Sequence, residues 1–208
     1  MSDFKTLAGE TETVTVIERS RFICLARGIN VEEDVKDFLA FARKKYPQAT
    51  HYCYAFVADE KGLNQKFSDD GEPHGTAGLP ILNAINGRGL VKTAVIVVRY
   101  FGGIKLGTGG LSRAYGGCAA ETLDNAKTVT LSEAEFYTLT LSYPQYKKAT
   151  ALLSGALVNT VFGENVKVKI ALKREENGEN STIKEISELF NNDIEIQSDG
   201  KGLFEFKG

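Results

Sequence analysis

Apolar and polar positions change their period several times along this chain of 208 residues. Glu12 to Arg19 alternates with period two, which predicts a strand whose Val14 and Val16 share one face. Ser20-Arg21 interrupts, and Phe22 to Ala26 reads as a second, mostly buried strand. Val35, Phe38, Leu39 and Ala42 recur at the i, i+3, i+4, i+7 spacing, predicting a helix over Val31 to Tyr46 that Pro47 stops. Cys53 to Ala58 is a short strand, Asp59 to Gly62 a hairpin-type turn, and Leu63 to Ser68 its partner. A short helix over Thr76 to Asn86 precedes TAVIVV, Thr93 to Val98. So continuous a β-branched run is the mark of a strand buried on both faces. A glycine-rich stretch follows it, and Leu111 to Asn125 reads as a helix.

Near Ser132 the texture changes. YTLTLSY alternates as a strand, Gln145 to Leu157 reads as a helix, and Thr160 to Glu164 and Val166 to Lys173 read as strands. The charged turn REENGEN, a helix over Thr182 to Phe190 and an extended end from Ile194 to Phe206 complete a βαββαβ order, the split-βαβ, ferredoxin-like pattern. Glycines thin out from 15 in residues 1–134 to 6 in the rest. These shifts place a domain boundary near residue 134, giving domains over 1–134 and 135–208. The fold class expected is α+β, an α/β domain followed by a ferredoxin-like βαββαβ domain.

Composition narrows the function classes. Net charge is -2, so the field of the whole molecule does not draw in a polyanion, and a nucleic-acid site has to be a local patch. Cys24, Cys53 and Cys118 are odd in number and far apart, which points to a reducing, cytoplasmic compartment. The polar, acidic start MSDFKTLAGETETV does not have the form of a signal peptide, and no run is long and apolar enough to cross a membrane.

Two segments concentrate chemistry. In VRYFGGIKLGTGGLSRAYGG, Val98 to Gly117, seven of twenty residues are glycine. A buried strand, a glycine-rich turn and a helix allow backbone N–H groups to converge on an anion. Gly107, Gly109 and Gly110, with Thr108 among them, permit close approach, Lys105 and Arg113 can neutralise phosphate, and Arg99 can hold phosphate or carboxylate in a bidentate pair. The spacing is neither that of a dinucleotide fingerprint nor that of a Walker loop. Tyr100, Phe101 and Tyr115 can stack on bases or serve as core aromatics. In FSDDGEPHGTAG, Asp69, Asp70 and Glu72 fall within four positions and Thr76 stands where a helix N-cap would be. The acids can bind a divalent cation, or pair with Arg99, Lys105 or Arg113 and join the two segments into one unit. His51 is open between ligand, base and core histidine. With Cys53 two residues on, on the same strand face, it also raises a thiol-activation reading.

FSDDGEPHGTAGLPIL followed by VVRYFGGIKLGTGGLSRAYG resembles the paired signature of the YigZ/IMPACT family, and SRFICLA and ATHYCYAF resemble its earlier blocks. The resemblance is strong over about residues 15 to 125. It implies a ribosomal protein S5 domain 2-like α/β domain at the N-terminus. The C-terminal segment resembles the second domain of bacterial members, which is similar to the last domain of elongation factor G. The resemblance brings no catalytic residues with it. The motifs and the resemblance together give a ligand face of Asp69, Asp70, Glu72, Thr76, Arg99, Tyr100, Lys105, Gly107, Thr108, Gly109, Gly110 and Arg113.

The function expected is that of a non-catalytic regulator of translation in the cytoplasm, binding RNA or the ribosome, or a protein of the translation apparatus, through the glycine-rich cationic face without a cofactor. Two alternatives stand beside it. One is an enzyme acting on a phosphorylated small molecule with Mg²⁺ held by the acidic cluster, and the other is a protein-interaction module using the same face.

Overall fold

The computed structural model describes residues 3–175 and 180–206, so most of REENGEN lies outside the described residues. The chain forms two compact units, residues 4–129 and the chain from Thr130 onward, to which Asp3 also belongs. The division falls at Val129/Thr130. It lies inside the unbroken strand β7 (Thr128–Leu141).

The first unit begins with β1 (Phe4–Leu7), which the polar look of the N-terminus hides although Phe4, Thr6 and Leu7 are all buried. Its main sheet contains β2 (Glu10–Ile17), β3 (Ser20–Gly28), β4 (His51–Val57), β5 (Gln65–Ser68) and β6 (Thr93–Tyr100). Their order is β2-β3-β6-β4-β5, and every neighbouring pair is antiparallel. The β-branched run of β6 takes the centre. Ala94, Ile96 and Val98 face one way and Val95 and Val97 the other, all nearly inaccessible to water.

Helix α1 (Asp34–Lys45) covers the first face through Val35, Phe38 and Ala42. It starts three residues later than the periodicity suggests. The Asp34 carboxylate accepts the Asn30 and Val31 N–H groups, at 2.7 and 3.2 Å, so the residues before it close a turn instead. Helices α2 (Gly78–Asn86) and α3 (Gly107–Asn125) cover the opposite face with Ile81, Ile85, Leu111, Tyr115 and Leu123. A sheet covered on both sides gives a three-layer unit with two apolar cores. Val14 and Val16 stay exposed on edge strand β2.

The second unit runs β7, α4 (Tyr143–Leu153), β8 (Leu157–Phe162), β9 (Val166–Lys173), α5 (Ser181–Leu189) and β10 (Glu195–Phe204). Its strands lie in the order β10-β7-β9-β8, all antiparallel. This is the βαββαβ pattern expected. Ser142 and Gln145 form a capping box at the start of α4. The helix ends at Leu153, and Leu157, read from the sequence as helical, already belongs to β8. Leu139, Leu141, Leu153, Val168, Ile170 and Ile186 form a core of its own.

Candidate functional site

The acidic segment lies between β5 and α2, and its carboxylates point at protein rather than at solvent. Asp69 accepts the N–H groups of Gly75 (2.8 Å), Ala77 (3.0 Å) and Gly78 (2.8 Å). It therefore caps α2 from a distance in sequence that no local capping rule covers. Burial alone would raise its pKa, but the three backbone donors outweigh burial and hold it below the ordinary value. Thr76, expected as the cap, instead donates its hydroxyl to the Pro73 carbonyl at 2.6 Å. Asp70, at φ 40°, accepts the Tyr52 N–H at 2.7 Å and lies 3.5 Å from Arg43.

Glu72 is the centre of the site. Its Oε1 accepts Arg99 Nη1 at 2.6 Å and the Tyr115 hydroxyl at 2.7 Å, and His51 Nε2 stands 3.7 Å away. The Glu72 and Arg99 side chains are 4% and 5% exposed, so this is a buried ion pair. It joins the two segments as the spacing of their charges anticipated. Arg99 also donates to Ser20 Oγ at 3.2 Å and lies between the Phe22 and Phe101 rings, 5.3 and 5.4 Å from their centroids. Its Nε is buried without a hydrogen-bond partner among the described residues.

Ser20, which reads in the sequence as mere punctuation, is a junction. It follows a two-residue hairpin turn in which Glu18 and Arg19 both have positive φ, 46° and 62°. Its hydroxyl oxygen also accepts the Gly102 N–H at 3.1 Å. A Cβ at Gly102 would lie 2.0 Å from the Arg19 carbonyl carbon, so only glycine lets this loop touch the turn.

The glycine stretch is helical earlier than expected. Residues 107–110 form the first turn of α3, entered through Gly107 at φ 70°. Leu106 and Leu111 pack against the core and hold that turn against the weak helix propensity of glycine. No side chain caps α3 and no acid occupies its first turn, so its leading N–H groups face solvent beside exposed Thr108 and Gly109. Lys105, Arg113 and Arg19 are exposed, and none has an ion pair among the described residues. The Arg113 guanidinium lies over Gly109, with Nη1 3.6 Å from where a Cβ would stand. Phe101 is exposed, whereas Tyr100 ties its hydroxyl to the Pro47 carbonyl at 3.0 Å. Tyr115 is fully buried, so stacking on a base is not its role.

The arrangement does not favour nucleophilic catalysis. Cys53 is buried and donates its thiol to the Asp69 carbonyl. Burial, with the neighbouring Glu72, Asp70 and Asp69 carboxylates, pushes its pKa up to about 12, far from a thiolate at neutral pH. Burial and the nearby Cys53 and Glu72 likewise hold the Tyr115 phenol well above its ordinary value, so it stays a donor. His51 is fixed through Nδ1 to the Asp70 carbonyl at 2.8 Å. Among the described residues no group of three His, Cys, Asp or Glu is placed to hold a metal ion.

The Impact N-terminal domain matches residues 18–123, just over half of the chain. The chain belongs to the IMPACT family. IMPACT family member YigZ of Escherichia coli (strain K12) is 39% identical over 170 residues, covering 79% of this chain and 83% of that protein. IMPACT family member YvyE of Bacillus subtilis (strain 168) is 48% identical over 122 residues, or 59% of this chain, and the match spans only 55% of the Bacillus protein. A crystal structure described only as that of a hypothetical protein aligns with a TM-score of 0.64 at 32% identity, over 94% of this chain and 97% of that one. All the residues brought together around Glu72 and α3 fall inside the IMPACT domain. No helix among the described residues is long and apolar enough to cross a membrane.

Two outcomes follow from this geometry. Removing Glu72 leaves Arg99 charged and buried, so Glu72→Ala should cost about 3–5 kcal/mol, and adding Arg99→Met should restore part of that loss. Urea denaturation of the two single variants and the double one measures the coupling; strictly additive losses would contradict the pairing. Asp69 has a depressed folded-state pKa, so its stabilisation is fully present above its unfolded value of about 4 and lost as pH falls through the lower folded value. Asp69→Ala should therefore be less stable than the native chain by about 0.5–2 kcal/mol at pH 7. That gap should close in acid, and a gap independent of pH in denaturation curves would count against the cap.

Proposed function

We propose that this IMPACT family member is a non-catalytic regulator of translation, acting in the cytoplasm, that binds RNA phosphates through the α3 face of its first domain. The observation that carries the reading is the separation of charges at the site. Asp69, Asp70 and Glu72 are taken up by backbone donors, Tyr52, Arg99 and Tyr115. Lys105 and Arg113 are left exposed beside an uncapped helix start. Such a start attracts anions through its free N–H groups and its dipole, and adjacent cations strengthen the attraction. Phe101, exposed on the same loop, offers a surface for a base.

The setting in translation rests on the likeness of both domains to modules of translation factors, the second to the last domain of elongation factor G. It extends to the ribosome, or a protein of the translation apparatus, as the body that presents the RNA. The three buried, unpaired cysteines fit a reducing cytoplasm. The enzyme alternative needs carboxylates free to hold Mg²⁺, and here they are committed to other donors.

Replacing Lys105 and Arg113 together by alanine should weaken RNA binding and reduce the slope of log affinity against log salt by about one and a half to two units. Both side chains are exposed, so stability should change by no more than about 0.5 kcal/mol. Fluorescence anisotropy across a salt series measures the slope. A folded double variant with unchanged affinity at every salt concentration contradicts the RNA reading.

A further inference from the structure

We infer that the open face of the second unit's sheet is a stacking platform for single-stranded RNA, separate from the α3 face. The inference rests on RNA being the partner, but on different residues. Helices α4 and α5 close one face of this sheet over Leu139, Leu141, Val168 and Ile170. Strand alternation sends the intervening residues to the other side. On β7 these include Phe136 and Thr138; on β9 they are Lys167, Lys169, Ala171 and Lys173, with Thr138 opposite Lys169 and Phe136 opposite Ala171.

Phe136 meets Phe204 of β10 edge to face, centroids 6.1 Å apart, and Phe204 meets Phe206 in the same way at 5.0 Å. The three rings are half-buried and lie outside the unit's core cluster, so closing that core does not require them. Gly202 lets Phe136 lie over the β10 backbone, since a Cβ there would come within 3.0 Å of the ring. Lys169 and Lys173 stand 5.7 and 5.6 Å from the Phe136 and Phe206 centroids.

Aromatic rings on the open face of an antiparallel βαββαβ sheet can take unstacked bases on their π-faces. Lysines at alternate positions of a strand are about 7 Å apart, a spacing suited to successive phosphates of an extended strand. The charge here is modest. Asp199 lies 3.7 Å from Lys169 and accepts the Thr138 hydroxyl, Asp3 lies 3.3 Å from Lys173, and Lys167 has no ion pair among the described residues. Stacking therefore dominates over phosphate neutralisation on this face. Its contribution survives salt that screens the α3 face, and it is denied to a duplex, whose bases are already stacked.

The test uses the full chain, a fluorescein-labelled uridine octamer and a blunt RNA duplex. Phe136→Leu keeps apolar volume but removes the ring. It should weaken octamer binding in high salt about tenfold or more and leave duplex binding unchanged. Lys105→Ala with Arg113→Ala should weaken both ligands at low salt while sparing the octamer binding that persists in high salt. That difference separates failure of the platform from failure of the α3 reading. Phe204→Leu serves as the second variant, and ring-proton shifts of Phe136 and Phe204 on adding octamer to the unaltered chain need no variant at all. Octamer binding equal to the unaltered chain in folded variants, or rings that do not respond, would overturn the platform.

Discussion

A carboxylate withdrawn from water has to be given donors, and Glu72 receives them from opposite sides of the first unit's core. Arg99 comes from the central strand β6 and Tyr115 from the middle of α3, while His51 approaches from β4. Ser20 then links Arg99 to the β2–β3 turn and to Gly102. A buried ion pair of this kind contributes little net stability over an apolar replacement, because desolvation consumes most of the attraction. Its value is geometric: with one partner missing the other is stranded, so the segments that carry them are held in a single arrangement.

That arrangement has an electrostatic consequence at the surface. The acids nearest the glycine stretch bond inward, and one of them caps α2. Lys105 and Arg113 have no ion pair among the described residues, and α3 opens on a turn with neither a cap nor an acid. A chain of net charge -2 thereby acquires a local anion-attracting face. The whole face lies within the stretch matched by the IMPACT domain.

Much of the fold is legible from periodicity. TAVIVV reads as a strand buried on both faces because its apolar run is continuous, and α1 shows its apolar stripe at helical spacing. What local reading loses are decisions made by tertiary contacts. Glycines at 107–110 argue against a helix, yet buried Leu111 and packed Leu106 impose one. Thr76 has the chemistry of a cap, but Asp69, eight residues before Ala77 and nine before Gly78, takes that place because the chain folds back. The pairing of acidic and basic segments is legible from their charges. Ser20 is not, since its importance comes from a turn and a loop more than eighty residues apart.

The account stands on the start of α3 being the place where phosphate is held. Amide chemical shifts of the full chain, followed by NMR while a short RNA is added, test this most directly. The account predicts that the N–H signals of Gly107, Thr108, Gly109 and Gly110 move first, together with Lys105 and Arg113, while those of Gly75, Ala77 and Gly78, already bonded to Asp69, stay in place. Saturable binding that leaves residues 105–113 unmoved would contradict it.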